Sequence, residues 1–172
     1  MREYKYTSEY LKELQALPLE RKIQISTTRI IEWYQHFNGK VYVSFSGGKD
    51  STVLLHLVRK IYPDVPAVFV DTGLEYPSIR DFVKTVDNVI TLKPSKSFIE
   101  ILNTCGYPVI SKQVAQIIGD FQTGCPYTAK YFNGEMAGSR YNLQHYKYLT
   151  EAPFPISHKC CYYMKKKPFQ QY

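Results

Sequence analysis

The sequence predicts an α/β fold in which a parallel sheet carries helices on both faces, in three layers. Short apolar strands alternate with helical segments between residues 41 and 105, the pattern of parallel strands joined by right-handed helical crossovers. Residues 67–70 (Ala-Val-Phe-Val) form a continuous apolar run, which is typical of a strand that is buried on both faces. Sheets of this kind bind ligands beyond the carboxyl ends of their strands.

Composition favours one compact domain without membrane spans. The chain has 172 residues, of which 44% are hydrophobic and 22% charged, and no apolar run approaches the ~20 residues that span a bilayer. We expect N-terminal helices at 1–38 that pack on a core formed by 39–172. The polar start, without a signal-like apolar segment, predicts a cytoplasmic protein, in which the four cysteines are expected to be reduced.

Local signals place the elements in order. Helices are predicted at 8–17, ended by Pro18, and at 19–37, closed by Asn38 and Gly39, which tolerate positive φ. Pro77 suits the first turn of a helix, and Ser97 with Glu100 predicts a capping box. The remaining predictions are strands at 41–45, 67–70 and 89–92, and helices at 52–61, 111–118 and near 142–149. The helix after residue 52 is expected to bury Val53, Leu54, Leu57, Val58 and Ile61.

The segment 46–51 (Ser-Gly-Gly-Lys-Asp-Ser), here called the glycine loop, joins the first strand to the next helix. Such a bend leaves backbone N–H groups at a helix start, where the helix dipole also favours anions. Glycines let a phosphate approach the main chain, while Lys49 adds a positive charge and Ser46 and Ser51 add hydroxyl groups. The loop is not a Walker A motif, because Val43 and Asp50 stand where that motif requires glycine and serine or threonine.

The string Ser-Phe-Ser-Gly-Gly-Lys-Asp-Ser at 44–51 resembles the PP-loop of the ATP-pyrophosphatase superfamily, which includes the phosphoadenosine phosphosulfate (PAPS) reductases. Residues 70–77, 106–115 and 159–169 also resemble segments of the PAPS reductase family, so the likeness covers most of 40–172. It implies a Rossmann-like, adenine nucleotide alpha-hydrolase-like fold. It also implies that the chain, which stops at Tyr172, lacks the C-terminal part carrying an arginine motif and the reductase's nucleophilic cysteine.

The resemblance implies a site for an adenine nucleotide, ATP or PAPS. The glycine loop would hold the terminal phosphates, with Lys49 and Asp50 as catalytic candidates; Asp50 would orient the loop, bridge phosphate oxygens through Mg²⁺, or simply cap the helix. Asp71 would contact the adenosine or merely cap its own loop. The predicted nucleotide-binding residues are Ser44, Phe45, Ser46, Gly47, Gly48, Lys49, Asp50, Ser51, Asp71, Thr72, Gly73, Lys112 and Lys159, the two last as contacts to sulfate or phosphate.

Cys160 and Cys161 resemble the adjacent pair that helps to hold an iron–sulfur cluster in the APS-reducing branch. Such a cluster needs four ligands, and the second pair of that branch is missing. Cys105 and Cys125 could replace it only if the fold brings them close. We therefore expect free or buried thiols rather than a cluster.

Taken together, these features predict an adenine-nucleotide-binding, PAPS-reductase-like protein in sulfur or nucleotidyl transfer. The activity would be that of a reductase-like oxidoreductase or of an ATP pyrophosphatase or adenylyltransferase. Gly48 and Lys49 resemble the ATP-consuming relatives and favour ATP over PAPS. One alternative is ATP-dependent thiolation of tRNA or DNA, for which the net charge of +7 is mild support. Another is a non-catalytic or incomplete nucleotide-binding module. Expected partners are a sulfur acceptor or redox partner, and a second copy that covers an exposed sheet edge.

Overall fold

The computed structural model describes residues 7–172 and has the predicted α/β fold, with a parallel sheet flanked by helices. The described chain divides into two compact units: one runs up to Phe69 and includes Tyr76–Thr91, and the other comprises Val70–Glu75 and Leu92–Tyr172. The division into helices at 1–38 and a core at 39–172 stays a prediction, and its residues 1–6 lie outside the described residues.

Four helices belong to the first unit: α1 (Ser8–Ala16), α2 (Leu19–His36), α3 (Lys49–Arg59) and α4 (Pro77–Lys84). Thr7 caps α1 by accepting the N–H of Tyr10. As predicted, α2 is followed by Asn38 and Gly39 in the left-handed region, with φ of 50° and 75°. Pro77 occupies the first turn of α4, also as predicted.

The sheet has three strands in the order β1 (Val43–Ser44), β2 (Ala67–Val70) and β3 (Val89–Leu92). β1 runs parallel to β2, with Val43 opposite Ala67 and Ser44 opposite Val68. β1 is shorter than the predicted 41–45, because the amide of Val41 donates to the carbonyl of Gly39 in the preceding turn rather than to a neighbouring strand. Phe45 still donates to Val68, so the chain stays tied to β2 up to the glycine loop.

The core of the first unit lies between the sheet and α3. Its buried members are Val43, Phe45, Leu55, Val58, Val65, Ala67, Phe69 and Val83. The predicted buried face of α3 is partly wrong: Leu55 and Val58 are buried, whereas Val53 and Leu54 are 59% and 45% exposed. The apolar side chains cover a band of α3 that is wider than the face that meets the sheet, so periodicity alone did not identify that face. Arg59, at the end of α3, donates to the carbonyl groups of Val65, Asp87 and Asn88 and so connects the approaches to β2 and β3.

The second unit contains α5 (Phe98–Cys105), α6 (Lys112–Gln122) and α7 (Lys167–Gln171). The predicted capping box is present: Ser97 accepts the N–H of Glu100, and Glu100 accepts the N–H of Ser97. A 3-10 helix at Gln144–Glu151 stands where a helix near 142–149 was predicted, and a π-helical segment, Tyr162–Lys166, leads into α7. The core of this unit consists of Val114, Ala115, Ile117, Ile118, Phe132, Leu143 and Ile156.

Within residues 7–172, no helix combines the length and apolar content that crossing a membrane requires.

Candidate functional site

The glycine loop connects β1 to the start of α3, and its two glycines have different roles. Gly47 has φ of +71°, and a Cβ atom there would lie 2.8 Å from Cγ2 of Ile79 and 3.1 Å from Cγ2 of Val83, both on α4. Gly48 is the N-cap of α3 with φ of −83° and ψ of 165°, a conformation that any residue adopts. Gly47 therefore lets the loop pass close to α4, while Gly48 leaves the helix start uncovered by a side chain.

Hydrogen bonds within the loop fix its shape. The hydroxyl of Ser51 accepts the amide of Ser46 at 3.2 Å and donates to the carbonyl of Gly48 at 2.9 Å. The hydroxyl of Ser46 lies 3.0 Å from that of Ser51 and accepts the amide of Gly48 at 3.3 Å. Thr52 adds a hydroxyl bond to the Gly48 carbonyl at 2.9 Å. The serine hydroxyls thus brace the loop, a role that the sequence did not predict for them.

The first turn of α3 leaves three backbone N–H groups outside the helical hydrogen-bond pattern. The first intrahelical bond runs from the amide of Thr52 to the carbonyl of Gly48, so the amides of Lys49, Asp50 and Ser51 precede it. No side chain caps α3, and the carboxylate of Asp50 is exposed, so the interpretation of Asp50 as the cap of this helix is wrong. The side chain of Lys49 is also exposed. This arrangement of amides and an ammonium group can bind an anion.

Ser44 and Phe45 precede the loop in very different environments. Ser44 is exposed, whereas Phe45 is only 1% exposed and packs in the core, its ring centroid 6.3 Å from that of Phe82. A nucleotide contact by either residue stays a prediction. For Phe45 such a contact would have to come from the main chain, because its ring is covered by protein.

In the second unit, Asp71, Thr72 and Gly73 form a hydrogen-bonded turn after β2. Asp71 Oδ1 accepts the amide of Gly73 at 3.0 Å, which confirms that Asp71 caps its own loop. Glu75, which sequence reasoning did not single out, accepts the Thr72 amide at 3.0 Å and the Thr72 hydroxyl at 2.7 Å. The spacing Thr-x-x-Glu was the available signal. Since Thr72 gives its proton to Glu75, its hydroxyl offers a ligand only an acceptor.

The structure brings Lys112 and Lys159 together, also in the second unit. Both line a cavity of about 350 Å³, here called the lysine cavity. Its other lining residues are Gln116, His158, Tyr162, Tyr163 and Lys166. The two lysines predicted as anion contacts therefore share one concave site, to which sequence reasoning had not assigned Lys166 or the tyrosines.

The four cysteines are free thiols, and the structure does not gather them. Cys160 and Cys161 line a small cavity of about 170 Å³, while Cys105 lines a different one. Burial raises the pKa of the Cys160 thiol, and neighbouring Cys161 raises it further. Among the described residues, no three His, Cys, Asp or Glu side chains are grouped so that they could hold a metal ion. These residues do not fit an iron–sulfur cluster with four protein ligands.

Part of the chain is similar to one known family. The model of the phosphoadenosine phosphosulfate reductase domain matches residues 40–104, from the approach to β1 to the end of α5. An uncharacterised protein of Methanocaldococcus jannaschii, MJ0973, is 38% identical over 95 residues, which are 52% of this chain and 23% of that protein. The phosphoadenosine 5'-phosphosulfate reductase of Serratia proteamaculans is 33% identical over 69 residues, 40% of this chain and 28% of the relative. The phosphoadenosine 5'-phosphosulfate reductase of Proteus mirabilis is 32% identical over 74 residues, which are 43% of this chain and 30% of the relative. Each match thus spans less than a third of the relative.

Proposed function

We propose that the glycine loop binds the phosphate groups of an adenine nucleotide, because it lies within residues 40–104, which match the model of the phosphoadenosine phosphosulfate reductase domain. The chain would act in sulfur or nucleotidyl transfer, with ATP favoured over PAPS. The observation that carries this proposal is the start of α3, where Gly48 leaves the amides of the first turn open beside the exposed ammonium group of Lys49. A braced loop needs little reorganisation to receive the phosphates.

In the proposed reaction, a nucleophile attacks the α-phosphorus of ATP while the bond from that phosphorus to the bridging oxygen of pyrophosphate breaks. Negative charge builds on the leaving pyrophosphate, and the amides of the first turn and Lys49 would stabilise it. Asp50, exposed at the same turn, is the carboxylate proposed to hold Mg²⁺ on the phosphates. The metal would supply charge neutralisation, and it commonly binds through one or two carboxylates and the substrate's phosphates.

The adenosine end is assigned to Asp71, Thr72 and Gly73. An acceptor-only hydroxyl at Thr72 suits the exocyclic amino group of adenine, which supports this assignment. Lys112 and Lys159 remain proposed contacts to a sulfate or phosphate group. We propose that the chain acts in the cytoplasm, where its four free thiols would stay reduced.

A second candidate is ATP-dependent thiolation of tRNA or DNA. It is supported by the net charge of +7, because a positive protein attracts the phosphate backbone. Here the glycine loop would bind ATP in the same way, and the activated atom would belong to a nucleic-acid base. Release of pyrophosphate from ATP that requires tRNA would favour this candidate, whereas release without nucleic acid would favour the first.

Calorimetric titration with ATP and with PAPS tests the proposed nucleotide. We expect ATP to bind more tightly than PAPS, and Lys49→Ala to weaken ATP binding by about tenfold, the worth of one charge-assisted hydrogen bond. Lys60→Ala is the matched control, because Lys60 is an exposed lysine at the other end of α3. Tighter binding of PAPS would overturn the preference for ATP, and a protein that binds neither nucleotide would overturn the proposed function.

A further inference from the structure

We infer that the lysine cavity is a second ligand site, which binds a phosphate or sulfate monoester with a planar organic body. The cavity shares no residue with the glycine loop, so this inference does not rest on nucleotide binding by that loop. In this site, Lys112 and Lys159 would contact the same ligand, and Lys166, Tyr162 and Tyr163 would contact it as well.

The lining residues come from two helical segments. Lys112 and Gln116 are one turn apart on α6. Lys159 lies just before the helical segment that leads into α7, and Tyr162, Tyr163 and Lys166 lie in its π-helical part. One basic and polar segment and one basic and aromatic segment therefore line the same cavity.

The charge of the cavity selects an anion. Lys112, Lys159 and Lys166 line it with His158, and none of its lining residues is acidic. No carboxylate among residues 7–172 forms an ion pair with any of these three lysines. Each ammonium group thus keeps its three donors for a ligand. An oxyanion between the lysines would also relieve their mutual repulsion.

Size and shape select an organic ester rather than a bare ion. A cavity of about 350 Å³ falls within the range of small-molecule sites, at about 300–1,000 Å³, and is roughly ten times the liquid volume of one water molecule. Tyr162 is 42% exposed, and its ring centroid lies 5.2 Å from that of Tyr163 at an interplanar angle of 80°. The exposed part of the Tyr162 ring is available to a planar group.

The backbone of this segment supports a binding role. Tyr162–Lys166 is π-helical, and it supplies three of the seven residues that line the cavity. Such π-helical turns are rare and occur frequently at functional sites. The segment is anchored from behind by Met164 and Pro168, which are both buried, so the tyrosines and Lys166 are held on a packed support.

Titration of the full chain with phenyl phosphate at low salt tests the inference, and phenyl sulfate, inorganic phosphate and benzyl alcohol serve as comparison ligands. Phenyl phosphate or phenyl sulfate should bind more tightly than inorganic phosphate, and benzyl alcohol should not bind. The tighter of the two esters identifies the preferred oxyanion. Lys112→Gln and Lys166→Gln should each weaken ester binding by about tenfold, because each removes one charge-assisted contact.

Two control variants separate binding in the lysine cavity from a general effect of positive charge and from binding at the glycine loop. Lys165→Gln makes the same charge change at the neighbouring position, which does not line the cavity, and should weaken binding less than about twofold. Gly48→Asp, which adds a negative charge to the glycine loop, should leave ester binding unchanged even if it abolishes nucleotide binding. The inference is overturned if the esters bind no better than inorganic phosphate, if Lys165→Gln weakens them as much as Lys166→Gln, or if Gly48→Asp removes their binding.

Discussion

At the scale of single residues, Gly47 shows how packing and backbone conformation together fix a residue type. It combines a left-handed φ of +71° with a Cβ position only 2.8 Å from Ile79 Cγ2. We predict that Gly47→Ala lowers the free energy of unfolding by about 1–3 kcal/mol, from backbone strain and overpacking against α4.

Chemical denaturation of Gly47→Ala and Gly48→Ala provides the check. Gly48→Ala should cost less than about 1 kcal/mol, because φ is negative there and the nearest atom to an added Cβ is Ser46 Oγ at 3.3 Å. Equal losses at the two positions would contradict this assignment of separate roles.

Glu75 holds the turn after β2, a role that the sequence did not predict. Its carboxylate accepts both the amide and the hydroxyl of Thr72. We predict that Glu75→Ala accelerates amide hydrogen exchange at Thr72 by about tenfold or more, the worth of a hydrogen bond to a charged group. Glu135→Ala is the control, because the carboxylate of Glu135 accepts a hydrogen bond from Asn133 within its own turn. Unchanged exchange at Thr72 would mean that Glu75 does not hold the turn.

At the scale of elements, the capping box of α5 makes stability depend on pH. The pKa of Glu100 lies below its ordinary value of 4.5, chiefly because the Ser97 amide donates to its carboxylate at 2.6 Å, with a smaller contribution from the Ser97 side chain. A carboxylate whose pKa is lower in the folded state than in the unfolded state stabilises the folded protein when the pH is above the unfolded-state pKa. This stabilisation is lost as the pH falls through the folded-state pKa. Above about pH 4.5, the free energy of unfolding of the parent protein should thus exceed that of the Glu100→Gln variant. The difference between the two proteins should shrink at lower pH.

Denaturation at a series of pH values measures that difference, with Glu151→Gln as the control for loss of one exposed carboxylate. The control variant should differ from the parent by a smaller amount across the same range. If the free energies of unfolding of the parent and of Glu100→Gln differed by the same amount at every pH, the cap would not depend on ionised Glu100.

Sequence reasoning succeeded for elements whose signals are local. Pro77, the capping box at Ser97 and Glu100, and the left-handed pair after α2 were all predicted, because each depends on the chemistry of a few neighbouring residues. The start of α3 was placed at Thr52 rather than Lys49, since the first turn is polar and carries no helical apolar signal. The π-helical segment 162–166 was not predicted, because Met164 is its one buried residue and the segment therefore carries no helical apolar period.

At the scale of the whole molecule, the α/β fold with a parallel sheet was predicted from the alternation of strands and helices. The candidate site was predicted less completely. The glycine loop was located from its glycines and its position after a strand, but the hydrogen bonds between Ser46 and Ser51 depend on the folded shape of the loop, which no sequence pattern specifies. The lysine cavity joins residues 112 and 166, which are far apart in sequence, and no local pattern relates them.

The central claim is that the N-terminus of α3, at Gly48, binds the phosphate groups of an adenine nucleotide. Gly48→Asp tests it without harming the fold, because aspartate is favoured at an N-cap and Gly48 already has N-cap dihedrals. Ser97→Asp is the matched control, since it places aspartate at the N-cap of α5. In calorimetric titrations with ATP and PAPS, Gly48→Asp should weaken both nucleotides by more than about tenfold through charge repulsion, and Ser97→Asp should change neither. A folded Gly48→Asp protein that binds both nucleotides as tightly as the parent would contradict the account.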